Sequence, residues 1–129
     1  MKLFKKHSPF VIFSVYRHRD EAEDSADHAA TLKHLDRMGI PALSVLGKYD
    51  GKAEQSILID GYYEDVAQTV AHKYNQESIL RVGGDLGTYI VLTGPVRSAQ
   101  YIGQWTEIDN PTGHDYTTNP YSGKHYIAT

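Results

Sequence analysis

The stretch Pro9 to Arg17, PFVIFSVYR, is almost continuously apolar, β-branched or aromatic. A strand with one face in water alternates apolar and polar side chains, whereas one that does not alternate is covered on both faces. This segment therefore predicts a central strand, with further structure packed above and below it.

The segments that follow can supply those layers. Asp20 to Gly39 places Ala22, Ala26, Ala29, Leu32, Leu35 and Met38 at three- and four-residue spacings. Acids crowd its start, Lys33, His34 and Arg37 its end, and Gly39 offers a stop, so a helix is predicted. Ala42 to Lys48 and Glu54 to Ile59 read as strands joined by a turn at Tyr49-Asp50-Gly51, because Asp-Gly favours positive φ. Tyr62 to Tyr74 carries Tyr63, Val66, Ala67, Val70, Ala71 and Tyr74 on one helical stripe. Ser78 to Val82, Thr88 to Thr93 and Ala99 to Ile108 read as further strands, separated by GGDLG and TGPVRS.

This order predicts an α+β fold: a ferredoxin-like βαββαβ antiparallel sheet, helices on one face, with an appended C-terminal strand pair. Strand one would lie between strands three and four. Residues 1–108 are expected to form a single domain carrying the site. Residues 109–129, with Tyr116, Tyr121 and Tyr126 at five-residue intervals, read as a disordered tail or as an arm that docks on a neighbouring subunit.

Composition narrows the function. A chain of 129 residues is one domain by length, and 40% hydrophobic with 22% charged residues is ordinary for a globular protein. No apolar run is long enough to span a bilayer, and MKLFKKHSPFVIF lacks a cleavage site, so it reads as a basic leader into the first strand. The absence of cysteine excludes disulfides, thiolate metal sites and cysteine nucleophiles, and suits the cytoplasm. A net charge of −3 without a basic cluster argues against nucleic acid as a partner.

The seven histidines, His7, His18, His28, His34, His72, His114 and His125, show no compact ligand spacing and read as solvated or capping groups; no metal is expected. VGGDLG leads from strand to strand and opens no helix, so Asp85 reads as a turn residue. Gly-x-Ser-x-Gly is absent, leaving Ser14, Ser56 and Ser78 without a nucleophile signature. What stands out is a near duplication: KYDGKAEQSIL (Lys48 to Leu58) and KYNQESIL (Lys73 to Leu80) each put an acid, an amide and a serine at the mouth of a strand. Glu54, Ser56, Gln76, Glu77 and Ser78 would then meet at one sheet edge, near the end of strand one. The residues alone favour solvated turn acids, and the repetition leaves room for an acidic ligand pocket.

FVIFSVYR, TLKHLDRMG, SVLGKYDGKAE and above all VAHKYNQESILRV, taken in this order, resemble the phage-encoded S-adenosylmethionine lyases, formerly described as hydrolases. The likeness covers roughly residues 10 to 108. It implies a ferredoxin-like subunit, a homotrimer with substrate between subunits, and an acid at Glu77 that cleavage requires. It also implies conversion of S-adenosylmethionine to 5′-methylthioadenosine and homoserine lactone without metal or cofactor, depleting the methyl donor of an infected cell. Glu54, Ser56, Gln76 and Ser78 would hydrogen-bond the amino acid or ribose, the backbone of Ser14, Val15 and Tyr16 would meet the adenine, and Tyr62, Tyr63 or Tyr74 would add a binding contact. Two alternatives remain: a hydrolase with Glu77 as general base, and a non-enzymatic phage protein that sequesters a nucleotide signal or blocks a host defence protein.

Overall fold

A computed structural model describes residues 8–49, 51–83, 86–92, 98–110, 113 and 115–128. Its elements are β1 (Phe10–Phe13), α1 (Glu21–Arg37), β2 (Ala42–Tyr49), β3 (Lys52–Asp60), a 3₁₀ turn (Gly61–Tyr63), α2 (Glu64–Lys73), β4 (Ser78–Gly83), β5 (Leu86–Val91), β6 (Ser98–Ile108), β7 (Tyr116–Thr118) and β8 (His125–Ala128). Asp50, the GGDLG residues Gly84 and Asp85, the leader residues 1–7 with His7, and His114 lie outside the described residues.

Every residue of β1 is buried. It lies antiparallel between β3 and β4, with Ile12 opposite Leu58 on one side and Leu80 on the other. The sheet then departs from the ferredoxin-like expectation. It runs β1-β3-β2-β7-β8-β6-β5-β4 and returns to β1, so the described strands close a barrel. The physical reason is edge pairing: β2 and β6 would otherwise present unpaired backbone groups. Residues Leu46 to Lys48 of β2 pair with Thr118 to Tyr116, and Trp105 to Ile108 of β6 pair with Ala128 to His125. The C-terminal strands are thus staves of the barrel rather than an appended pair. Tyr116 belongs to β7, Tyr126 to β8 and Tyr121 to the turn between them, which is why their five-residue spacing matches no single element.

Two apolar clusters divide the strand residues by parity. Val11, Phe13, Ile57, Ile59, Ile79 and Ile90 face outward beneath the helices. Phe10, Ile12, Leu43, Val45, Leu58, Leu80 and Val82 fill the barrel interior, where the Trp105 ring meets Phe10 edge-on at 5.8 Å. Helix α2 covers the outer cluster with the stripe read from its sequence: Ala67 and Ala71 are buried, and Tyr63, Val66, Val70 and Tyr74 pack beside them.

Helix α1 is turned differently from the alanine stripe. It buries Asp24, His28, Thr31 and Leu35, while Ala22, Ala26, Ala29 and Met38 face outward. Its buried side chains reach polar partners: Asp24 bonds the backbone of Arg17 and His18, His28 Nε2 meets Ser44 Oγ at 2.9 Å, and Thr31 donates to the Asp27 carbonyl, while His28 Nδ1 has no partner among the described residues.

Candidate functional site

Three neighbouring strands change character together along the inner face of the barrel. Taken two residues at a time, Phe10 and Ile12 lead to Ser14, Leu58 leads to Ser56 and Glu54, and Val82 and Leu80 lead to Ser78. Period-two alternation keeps each series on one face, so an apolar plug gives way to hydroxyls and a carboxylate at one end. That end opens into a cleft of about 750 Å³ lined by Ile12, Ser14, Glu54, Ser56, Ser78 and Leu80 with the loop residues above them. The volume is ordinary for a small-molecule site, roughly 300–1,000 Å³.

Glu54 is the most enclosed of the charged groups here, its side chain 12% exposed. His18 Nε2 lies 2.9 Å from its Oε2, and the Ser56 hydroxyl stands 3.5 Å from Oε1. Burial pushes the Glu54 carboxyl above its ordinary value, opposed by His18 and by hydrogen bonds from Ser14 and Ser56. Burial wins. Glu77 lines the same cleft from the lip, where its side chain is exposed, and its backbone carbonyl accepts the Leu92 N–H at 2.7 Å.

The walls are stapled by side-chain to backbone bonds. Gln76 Nε2 donates to the Tyr16 carbonyl at 2.6 Å and to the Tyr74 carbonyl at 3.2 Å, tying the α2–β4 turn to the end of β1. Asn75 in that turn takes φ 58°. The Tyr16 hydroxyl donates to Gln55 Oε1 at 3.1 Å, and its N–H to Ser14 Oγ at 3.0 Å. Arg17 leans over the Tyr74 ring at 5.0 Å and reaches Asp27 at 3.5 Å. Across the mouth, the Tyr49 ring folds over Gly47, where a Cβ would overlap it, and its hydroxyl meets Thr117 Oγ1.

The structure thus brings Ser14, Tyr16, Glu54, Ser56, Gln76, Glu77 and Ser78 to one cleft. Val15 is not among its lining residues: it is fully buried in the outer cluster, on the same parity as Val11 and Phe13. Tyr62 and Tyr63 follow Asp60, which pairs with Phe10 at the opposite end of β1, so within one chain they stand away from the cleft. Reading the sequence left out His18, Arg19, Lys52 and Asp115, which also line it. Nothing in residue type or spacing marks them: His18, Arg19 and Asp115 come from loops, and Lys52 from the first position of β3. Among the described residues no group of three His, Asp or Glu is placed to hold a metal ion, and no helix is long and apolar enough to cross a membrane.

A family model described as the S-adenosylmethionine lyase family matches residues 11–129. The chain belongs to the S-adenosylmethionine lyase family. Membership makes S-adenosylmethionine the substrate and the chain an enzyme. The match to this lyase family spans both helices and every strand after the first residue of β1, including the closing staves β7 and β8. No curated protein matches the chain.

Proposed function

We propose that this lyase converts S-adenosylmethionine to 5′-methylthioadenosine and L-homoserine lactone in the cleft at the open end of the barrel. A carboxylate oxygen of the substrate attacks its own Cγ, the Cγ–S bond breaks, and the electron pair leaves on sulfur as a neutral thioether. No water is consumed, and the attacking carboxylate has no proton to lose. The enzyme's task is to fold the methionine tail so that the oxygen lies in line with the breaking bond, and alignment of this kind can lower a barrier by ~7–11 kcal/mol.

The single observation that carries this reading is the enclosed carboxylate of Glu54 at the junction of an apolar floor and a hydroxyl-rich wall. Such a group suits the cationic end of a zwitterionic, sulfonium-bearing substrate. Its attraction orients that end in the ground state and persists into the transition state, contributing binding and alignment rather than proton transfer. Glu77 faces the same space from the lip and takes the second carboxylate role, which the family resemblance makes essential. Ser14, Ser56 and Ser78 supply hydrogen bonds to the amino acid or ribose, and the Tyr16 segment takes the adenine.

The same reading makes the enzyme a homotrimer with substrate between subunits. Tyr62 and Tyr63 could then approach a cleft only from a neighbouring copy. In a phage-infected cell the reaction would occur in the host cytoplasm, drain the methyl donor and blunt methylation-dependent defence.

Incubation of the purified protein with S-adenosylmethionine, resolved by chromatography over time, tests the chemistry. Early lactone accompanying methylthioadenosine is expected. Homoserine labelled from isotopic water, with no lactone precursor, would establish hydrolysis instead, and unchanged substrate would remove the proposal. Light scattering should return the mass of three chains.

A further inference from the structure

The imidazole that meets Glu54 at 2.9 Å sits on an unusual stretch of backbone. His18 adopts φ 57°, the left-handed region that non-glycine residues rarely occupy. Nothing in its own side chain requires that conformation. What holds it is a carboxylate on the first turn of α1: Asp24 Oδ1 accepts the Arg17 N–H at 2.9 Å, and Oδ2 accepts the His18 N–H at 3.1 Å. Asp24 is 4% exposed and reaches no part of the cleft. The helix does not need it as a cap, because Asp20 already accepts the Glu23 N–H at 3.1 Å.

We propose that Asp24 is a positioning residue: by clamping two successive backbone amides it holds His18 in the left-handed region and so presents the imidazole to Glu54. The chain of contact runs from Asp24 to the His18 backbone at 3.1 Å, through the residue to its imidazole, and on to the Glu54 carboxylate at 2.9 Å. A charged acceptor gripping two N–H groups is among the stronger hydrogen-bonded arrangements, and it is rigid in the way a group supporting a binding carboxylate needs to be. Arg17, gripped by the same clamp, is directed over Tyr74 and toward Asp27.

Through His18 the clamp bears on how readily Glu54 ionises. Facing that carboxyl are His18 from the β1–α1 loop, Ser14 from the end of β1 and Ser56 from β3, while Arg17, Arg19, Lys52, Glu77 and Asp115 supply the other charges of the cleft. Burial favours the neutral acid, and His18 opposes it. Loss of the imidazole from its place therefore makes Glu54 harder to ionise. The kinetic consequence rests on the proposed role of Glu54, whereas the positioning itself does not.

The test is a carboxyl-carbon NMR titration of Glu54 in the free, full-length protein, with no substrate present. His18→Gln should move the Glu54 midpoint upward, Asp24→Asn should move it in the same direction by a comparable amount, and the double variant should go no further than either. Asn keeps the shape of Asp24 but faces one of the two N–H groups with an NH₂. A purely structural Asp24 would lower the melting temperature and leave the Glu54 midpoint at its wild-type position, which would overturn the proposal; additive shifts in the double variant would overturn it too. Should Asp24→Asn not fold, hydrogen exchange of the unmutated protein decides: the Arg17 and His18 amides are expected to be protected, and exchange at the rate of open amides refutes the clamp. If the wild-type protein does not turn over S-adenosylmethionine, the proposed reaction fails while the titration still judges the clamp. If it does, Asp24→Asn and His18→Gln should shift the acid limb of kcat/KM upward together.

Discussion

Replacing Glu54 with Gln should weaken the enzyme and strengthen the fold at the same time. The side chain keeps its volume and loses its charge, in a place where only 12% of it meets solvent. Unit charges about 5 Å apart, at the effective dielectric of about 20 that suits such sites, attract by ~3 kcal/mol, roughly 10²-fold in affinity. Because the cationic end is held in both ground and transition states, most of the loss should fall on KM.

Stability moves the other way. Burial raises the folded pKa of Glu54 above its unfolded value, so the protonated form favours folding. That contribution is complete below the unfolded carboxylate pKa and is lost as pH rises through the folded one. At about pH 8 the wild type carries an ionised, desolvated carboxyl that the Gln variant lacks. Removing it should contribute about 1 kcal/mol, a rise of about 3–5 °C in Tm. The gap should narrow as pH falls and the buried carboxyl takes up its proton. Methylthioadenosine chromatography and thermal denaturation on the same preparations measure both effects. A lower Tm at alkaline pH would refute the electrostatic reasoning, and a fall in kcat at constant KM would make Glu54 a participant in proton transfer instead.

Glu77→Gln removes a carboxylate from the exposed lip, so kcat/KM should fall at least ~10-fold with Tm within about 2 °C of wild type, since exposed substitutions rarely change stability by more than ~0.5 kcal/mol; unchanged turnover would remove Glu77 from the site. Deleting residues 116–128 takes away β7 and β8 and unroofs the inner cluster around Trp105; tryptophan emission should shift to the red and cooperative unfolding should disappear, and a retained sharp transition would show the barrel does not depend on closure. His28 has its pKa lowered by burial, and among the described residues its Nδ1 has no hydrogen-bond partner; its contribution to stability is present above the unfolded histidine pKa and lost as pH falls through the lowered folded one. His28→Leu should therefore flatten the acid side of the Tm–pH curve, and an unaltered slope there would place the acid sensitivity elsewhere.

The parts of this molecule that could be read in advance are those in which side-chain type and packing coincide. Helix α2 uses apolar residues on its buried face, so its stripe is visible in the sequence. Helix α1 buries Asp24, His28 and Thr31 because each finds a specific acceptor or donor in the folded chain, and hydropathy cannot see partners that do not yet exist. The cleft was legible where alternation alone brings residues together: Ser14, Glu54, Ser56 and Ser78 follow from strand parity and register. Parity also explains Val15, whose odd-numbered face lies under the helices. His18 reads as one more solvated histidine, because its place depends on a loop conformation dictated from α1. Barrel closure was hidden for a different reason. A stave of three residues, Tyr116–Thr118, carries too little pattern to announce itself, and its partner strand is remote in the chain.

That remoteness has a consequence for the making of the protein. Tyr49 meets Thr117 across 68 positions of sequence. At a synthesis rate of about 5–20 residues per second, β2 is born ~3–14 s before the strand that will cover it. For that interval its outer backbone is a bare edge on the nascent chain, open to any other extended segment in the crowded space outside the ribosome. Completion waits on long-range pairing, which makes such closures slow. The exposed hazard is thus temporal: a fully closed barrel offers no edge for strand addition, while each unfinished copy passes through a window in which it does.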